Sequence, residues 1–128
     1  MDDTQQKPTI LLADDDQFIC VVYKDGLENA GYNVIVAQDG EEALAKIISD
    51  KPSLVLLDII MPKQNGFEVL RAVQANPDIS ATPIIVLTNL SQASDEQEAR
   101  KYGAIDFITK SNASFNDVLL KIEQFLGQ

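Results

Sequence analysis

Five short runs of Ile, Val and Leu alternate along this chain with longer stretches of helical period, and that alternation limits the folds open to it. Strands covered on both faces read as near-continuous apolar runs, and their alternation with helices is the pattern of a parallel sheet sandwiched between helical layers. The predicted strands are Thr9–Ala13, Asn33–Ala37, Leu54–Leu57, Ile84–Thr88 and Ala104–Ile108, each about the usual strand length. Right-handed crossovers then make five strand–helix units a doubly wound α/β sheet, in which ligands bind beyond the carboxyl ends of the strands. Chemistry-bearing residues are therefore sought at that edge.

The helices follow from spacing and punctuation. Ile19, Tyr23, Leu27 and Ala30 repeat at helical intervals, and Gly31 follows as a left-handed stop. A second helix is expected over Glu41–Lys51, with Asp39 as its N-cap and Pro52 ending it. A third spans Gly66–Ala75, before Asn76-Pro77, and a fourth Ser94–Tyr102. The fourth offers few apolar anchors beyond Ala99 and Tyr102 and is expected to be the least firmly packed. A fifth begins near Ser114 and turns Phe115, Val118, Leu119, Ile122 and Leu126 inward.

Length suits a single domain, 1–128, with the polar segment 1–7 as a flexible tail. A chain of this size buries roughly two-thirds of its unfolded surface and needs no disulfide. The lone Cys20 and the absence of a long apolar N-terminal run point to a cytoplasmic setting. Twenty acidic residues against ten basic, a formal charge of -10, argue against direct contact with nucleic acid or an anionic membrane. The chain has no histidine, so any phosphohistidine chemistry needs a partner.

Asp14, Asp15 and Asp16 follow the first strand directly and Asp58 ends the third, so the expected topology gathers them at one edge. Acidic residues also favour helix starts, and the run reads as well as a simple cap for the first helix. Asp58 is harder to explain that way, because a carboxylate ending an apolar run needs a partner. Converging carboxylates are costly without a cation, and magnesium prefers oxygen ligands. Thr88 ends the fourth strand and Lys110 follows the fifth, adding a hydroxyl and an ammonium to the same edge. Singly, a strand-end threonine is an ordinary β-former and a lysine an ordinary surface charge. Together with the aspartates they supply the nucleophile, metal ligands and donors that phosphoryl transfer requires.

The segments Ile10–Asp16 (ILLADDD), Leu54–Leu70 (LVLLDIIMPKQNGFEVL), Pro83–Asn89 (PIIVLTN) and Gly103–Lys110 (GAIDFITK) resemble, in order and separation, the motifs of two-component response-regulator receiver domains. The likeness spans nearly the whole chain and is nearest the stand-alone, chemotaxis-regulator type. It implies a flavodoxin-like (βα)5 fold with strand order 2-1-3-4-5 and a phosphoacceptor at Asp58, charged from a phosphohistidine or a small phosphodonor. It also implies Mg2+ held by Asp14, Asp15, Asp58 and the backbone carbonyl of Ile60, with Thr88 and Lys110 on the phosphoryl oxygens. Asp16 is then a helix cap. Phe107 resembles the family's switch aromatic, whose turning would alter the surface formed by the fourth helix, fifth strand and fifth helix. The implied partners are a histidine kinase or histidine phosphotransfer protein and a downstream protein bound at that surface. On this reading the chain turns over no external substrate.

Two positions depart from the family pattern. Asn89 stands where a small residue is usual after Thr88, and Ser111 replaces the proline that commonly follows the lysine. A non-proline cis bond costs about 2.5–4 kcal/mol, so the 110–111 peptide is expected to be trans. These departures admit an alternative, a pseudo-receiver scaffold not governed by phosphorylation. Haloacid-dehalogenase-like phosphatases also use a strand-end aspartate, but they place a second aspartate two residues later, where Ile60 stands here.

Overall fold

The computed structural model describes residues 7–127. Its elements in chain order are β1 (Thr9–Ala13), α1 (Gln17–Asn29), β2 (Asn33–Ala37), α2 (Gly40–Asp50), β3 (Leu54–Leu57), α3 (Gly66–Ala75), β4 (Ile84–Thr88), α4 (Ala93–Lys101), β5 (Asp106–Thr109) and α5 (Phe115–Leu126). A single turn of 3-10 helix, Lys110–Asn112, joins β5 to the segment before α5. The strands form one parallel sheet in the order β2-β1-β3-β4-β5, the doubly wound sheet expected from the alternation with the flavodoxin-like order that the family resemblance implies. Most of the expected 1–7 tail lies outside the described residues.

Alternation within each strand divides the apolar side chains between two cores. Leu11, Ala13, Val55, Leu57 and Val86 face α2, α3 and α4, whose Ala43, Ile47, Val69, Val73 and Ala99 close that layer. Ile10, Leu12, Leu56, Ile85 and Leu87 face α1 and α5, packing on Tyr23, Leu27, Val118 and Ile122. The central strands β1, β3 and β4 are buried almost throughout, which is why they read so plainly as apolar runs.

Local chemistry starts the helices where their N-caps stand. Asp16 accepts hydrogen bonds from the amides of Phe18 and Ile19 at 2.9 and 3.3 Å and starts α1. Asp39 caps α2 through the Glu42 amide at 2.7 Å. Asn65 and Glu68 form a reciprocal capping box at the start of α3. Gly66 follows directly, and its lack of a side chain matters because a Cβ there would lie 2.5 Å from the carbonyl oxygen of Asp58. The segment after β3 can fold tightly back on α3 only with glycine at that place, and the Gly66 amide seals the approach with a 2.8 Å bond to Ile59 O.

β5 begins two residues later than the apolar run Ala104–Ile108 suggests and extends through Thr109. Gly103 turns the chain with φ +99°, and the Ala104 amide donates to Ala99 O, closing α4 instead of joining the ladder. Thr109 is held in the strand by its register with Thr88. No cis peptide occurs among the described residues, in keeping with a trans bond at Lys110–Ser111. α4 buries Ala99 alone, the weak anchoring its composition predicts.

Candidate functional site

The register of β1 with β3 pairs Ala13 with Leu57, so the residues that follow, Asp14 and Asp58, leave the sheet side by side. Backbone bonds continue past the strand ends and fix both: Asp58 N donates to Ala13 O at 2.9 Å and Asp14 N to Ala37 O at 3.0 Å. Asp14 is 1% and Asp58 6% exposed, whereas Asp15 is open to solvent. Lys110, delivered by the 3-10 turn after β5, places its Nζ 2.6 Å from Asp14 Oδ2 and 3.0 Å from Asp58 Oδ2. The remaining oxygens are also engaged, Asp14 Oδ1 by the Asp16 amide at 2.9 Å and Asp58 Oδ1 by the Ile60 amide at 3.3 Å.

These groups line a cleft of about 210 Å³ with Asp16, Ile60 and Asn89 at its rim. Burial pushes the Asp14 carboxyl above its ordinary pKa, against the hydrogen bond and charge of Lys110, which pull it down. Burial likewise works against the Lys110 charge, but Asp14 and Asp58 more than offset it and hold the ammonium above its usual value. The lysine therefore stays charged and bridges two carboxylates.

Of the residues expected at the site, Asp14, Asp15, Asp58, Ile60 and Lys110 meet at this cleft. Thr88 is fully buried at the end of β4, and its Oγ1 accepts the Leu90 amide at 3.4 Å. Phe107 lies farther back on β5, half-buried against the α2–α3–α4 core. The site thus has an outer acidic cleft and a buried layer behind it.

The carboxylates of Asp14, Asp15 and Asp58 each offer an oxygen within 4.8 Å of the others. Three carboxylates against one ammonium leave a deficit of two positive charges, which one magnesium ion makes good. All these ligand atoms are hard oxygens and the cleft opens to water, matching an ion that keeps several of its waters. The donor set therefore fits Mg2+. Its chemistry, when bound, would be to draw charge from the oxygens of a transferring phosphoryl group.

One contact had no signal in the sequence. Cys20, on α1, donates its thiol to the carbonyl of Asp14 at 3.2 Å and so braces the turn carrying the acidic run. Burial, reinforced by the Asp14 charge, pushes this thiol up to about 11. Only the thiolate reacts, so Cys20 in the native protein at pH 8 is expected to react with a disulfide reagent on the order of 100-fold more slowly than in guanidinium. Equal rates in native and unfolded protein would show that the thiol is neither buried nor held protonated.

Comparison with known proteins agrees with this geometry. The family model described as response regulator receiver domain matches residues 10–123. The transcriptional regulatory protein CpxR of Escherichia coli K12 is 42% identical over 108 residues, covering 84% of this chain and 44% of that protein. The alkaline phosphatase synthesis transcriptional regulatory protein PhoP of Bacillus subtilis is 40% identical over 101 residues, covering 79% of this chain and 41% of that protein. The chain thus spans less than half the length of these relatives. Among solved structures, the chemotaxis protein CheY4 of Vibrio cholerae superposes with a TM-score of 0.86 at 30% identity, over 94% of this chain and 99% of that one.

Proposed function

This chain belongs to the response regulator receiver domain family, the signalling modules of two-component systems, and from that premise we propose that it is a magnesium-dependent phosphoryl switch with Asp58 as acceptor. The observation that carries the reading is the placement of Asp58: a nearly buried carboxylate at the open edge of the sheet, bridged by Lys110 to Asp14 and within ligand reach of Asp15. A carboxylate oxygen of Asp58 attacks phosphorus, and the bond from phosphorus to the donor's nitrogen or oxygen breaks with its electron pair leaving on the donor. Lys110 moves from carboxylate to phosphoryl oxygen, and the Thr88 hydroxyl donates to another. Asp14 and Asp15, with Asp58 and the Ile60 carbonyl, hold the ion that balances the added charge.

Because the chain has no histidine, the donor in a relay is a phosphohistidine on a histidine kinase or a histidine phosphotransfer protein. Closure of Thr88 on the phosphoryl group would draw Phe107, paired with Val86 two positions earlier, inward. The downstream partner then reads the surface of α4, β5 and α5. The protein acts as a signalling module in the cytoplasm and carries a modification instead of turning over a substrate. Among the described residues no helix is long and apolar enough to cross a membrane.

Incubation with acetyl phosphate and Mg2+, followed by intact mass and peptide mapping, is expected to show one phosphoryl group on the peptide containing Asp58. The group should be lost in hydroxylamine and should not form in EDTA. A wild-type protein that gains no such mass from acetyl phosphate or from a phosphorylated kinase would favour the pseudo-receiver scaffold.

A further inference from the structure

The edge strand β5 carries a polar junction that the phosphorylation chemistry does not use. Asp106 opens the strand with its side chain 15% exposed. Its Oδ1 accepts Arg100 Nη2 from α4 at 3.1 Å and the Phe107 amide at 2.8 Å. Its Oδ2 faces Lys121 Nζ from α5 at 3.4 Å. Arg100 is itself aimed by Glu96, one turn earlier on α4, at 2.9 Å, and reaches the Ile105 carbonyl at 3.4 Å. One carboxylate therefore ties together the strand and both helices that flank it.

Two features give this junction more leverage than a surface ion pair usually has. First, α4 buries only Ala99, and Tyr102, just after its last turn, lies beneath Arg71, 5.4 Å from the ring centre. The Arg100–Asp106 contact is thus one of the few side-chain ties that fix α4, beside the 3.3 Å bond from Gln74 Nε2 to Lys101 O. Second, β5 is four residues long, pairs only with β4, and runs from Asp106 directly into Lys110, which holds Asp14 and Asp58. Whatever moves Lys110 and Thr88 pulls on a strand anchored at its other end by Asp106, because Thr88 is in register with Thr109 and Ile85 with Asp106.

We propose that Asp106 is a latch: with Arg100 and Lys121 it holds β5 and α4 in the unphosphorylated arrangement, and binding of a phosphoryl group at Asp58 is weakened by the need to loosen it. This rests on the reading of Asp58 as the acceptor. A ligand shifts a two-state element only by its differential affinity, so removing contacts made in one state alone tightens binding to the other. Half-exposed ion pairs contribute modestly, which limits the expected gain to roughly two- to tenfold.

The test is calorimetric titration of the full chain, saturated with Mg2+, with beryllofluoride, which attaches to a carboxylate oxygen as a phosphoryl mimic. Asp106→Asn and Arg100→Gln are each expected to bind it roughly two- to tenfold more tightly than wild type. Their Mg2+ affinity should be unchanged, and Lys24→Gln, which removes the 2.6 Å surface pair with Glu28 on α1, should match wild type throughout. Hydrogen exchange across Ala93–Lys101 should be faster in the two latch variants. Arg100→Gln changes an exposed side chain, so it reports even if Asp106→Asn folds poorly. Wild-type affinity, or weaker, in both latch variants overturns the latch alone. A wild type that does not bind beryllofluoride overturns the reading of Asp58 and the latch with it.

Discussion

Asp58→Asn is expected to gain no phosphoryl group from acetyl phosphate under conditions that label the wild type fully, a change from complete modification to none. The substitution keeps the shape of the side chain. An asparagine oxygen in place of Oδ1 can still accept the Ile60 amide, as Asp58 does at 3.3 Å. The amide nitrogen, however, replaces the oxygen that faces Lys110 Nζ at 3.0 Å, setting a donor against a cation, and its electron pair is delocalised into the carbonyl and does not attack phosphorus. The site also loses one of its three carboxylates, so Mg2+ affinity should fall by on the order of tenfold or more. Intact mass reads the first effect, and the Mg2+-induced rise in melting temperature reads the second. The fold itself should persist, because a buried carboxylate is replaced by a neutral isostere. A variant that still acquires a phosphoryl group at wild-type level would place the acceptor at Asp14 or Asp15.

The limits of a strand were legible where turn residues bound the apolar run, as at the edge strand β2, or where the strand is buried on both faces. Strands β1, β3 and β4 have a helical layer on each face, so their sequences are almost wholly apolar and their limits could be read to the residue. β5 lies at the sheet edge, every residue only half-buried, and apolarity there no longer separates strand from turn. Ala104 looked like strand for that reason, although Gly103 bends the chain and Ala104 closes α4. The acidic pair was visible because a charge at the end of an apolar run needs an explanation. The same reasoning applied to Asp106, a charge inside the run Ala104–Ile108, would have drawn attention to the junction it makes with Arg100 and Lys121.

Lys110 shows where sequence reasoning stops. Its position after β5 put a cation at the correct edge, but which oxygens it meets depends on the 3-10 turn at Lys110–Asn112, and no propensity in Lys-Ser-Asn announces that turn. The Cys20 thiol on the Asp14 carbonyl is beyond reach for a similar reason, since the two residues meet only once α1 has been laid against β1. Chemistry at this site is therefore set by types of residue that the sequence displays and by distances that only the tertiary fold provides.

Lys110→Met is expected to be strongly destabilised without metal and nearly normal with it. The lysine neutralises two carboxylates whose side chains are 2% and 8% exposed, and it is itself only 14% exposed. Removing one partner of a buried pair typically costs about 3–5 kcal/mol, and the water in the adjoining cleft reduces this to about 2 kcal/mol here. Saturating Mg2+ supplies the missing positive charge, so the difference from wild type in urea unfolding should shrink below about 1 kcal/mol. The pH dependence follows from the same contacts. Asp14 already sits above its ordinary pKa through burial, and loss of Lys110 removes the hydrogen bond and charge that restrain it. An acid whose pKa is raised on folding makes the folded state the stronger proton binder, so stability rises as pH falls toward that pKa and declines as pH rises. In EDTA the variant should therefore recover part of its deficit as pH falls from neutrality toward the raised pKa of Asp14. In the wild type, the raised pKa of Lys110 means that its own stabilising contribution is present at neutral and acidic pH and is lost only in strong alkali. If the variant matches wild-type stability in EDTA, Lys110 is not the cation that holds the acidic cleft together in the metal-free protein.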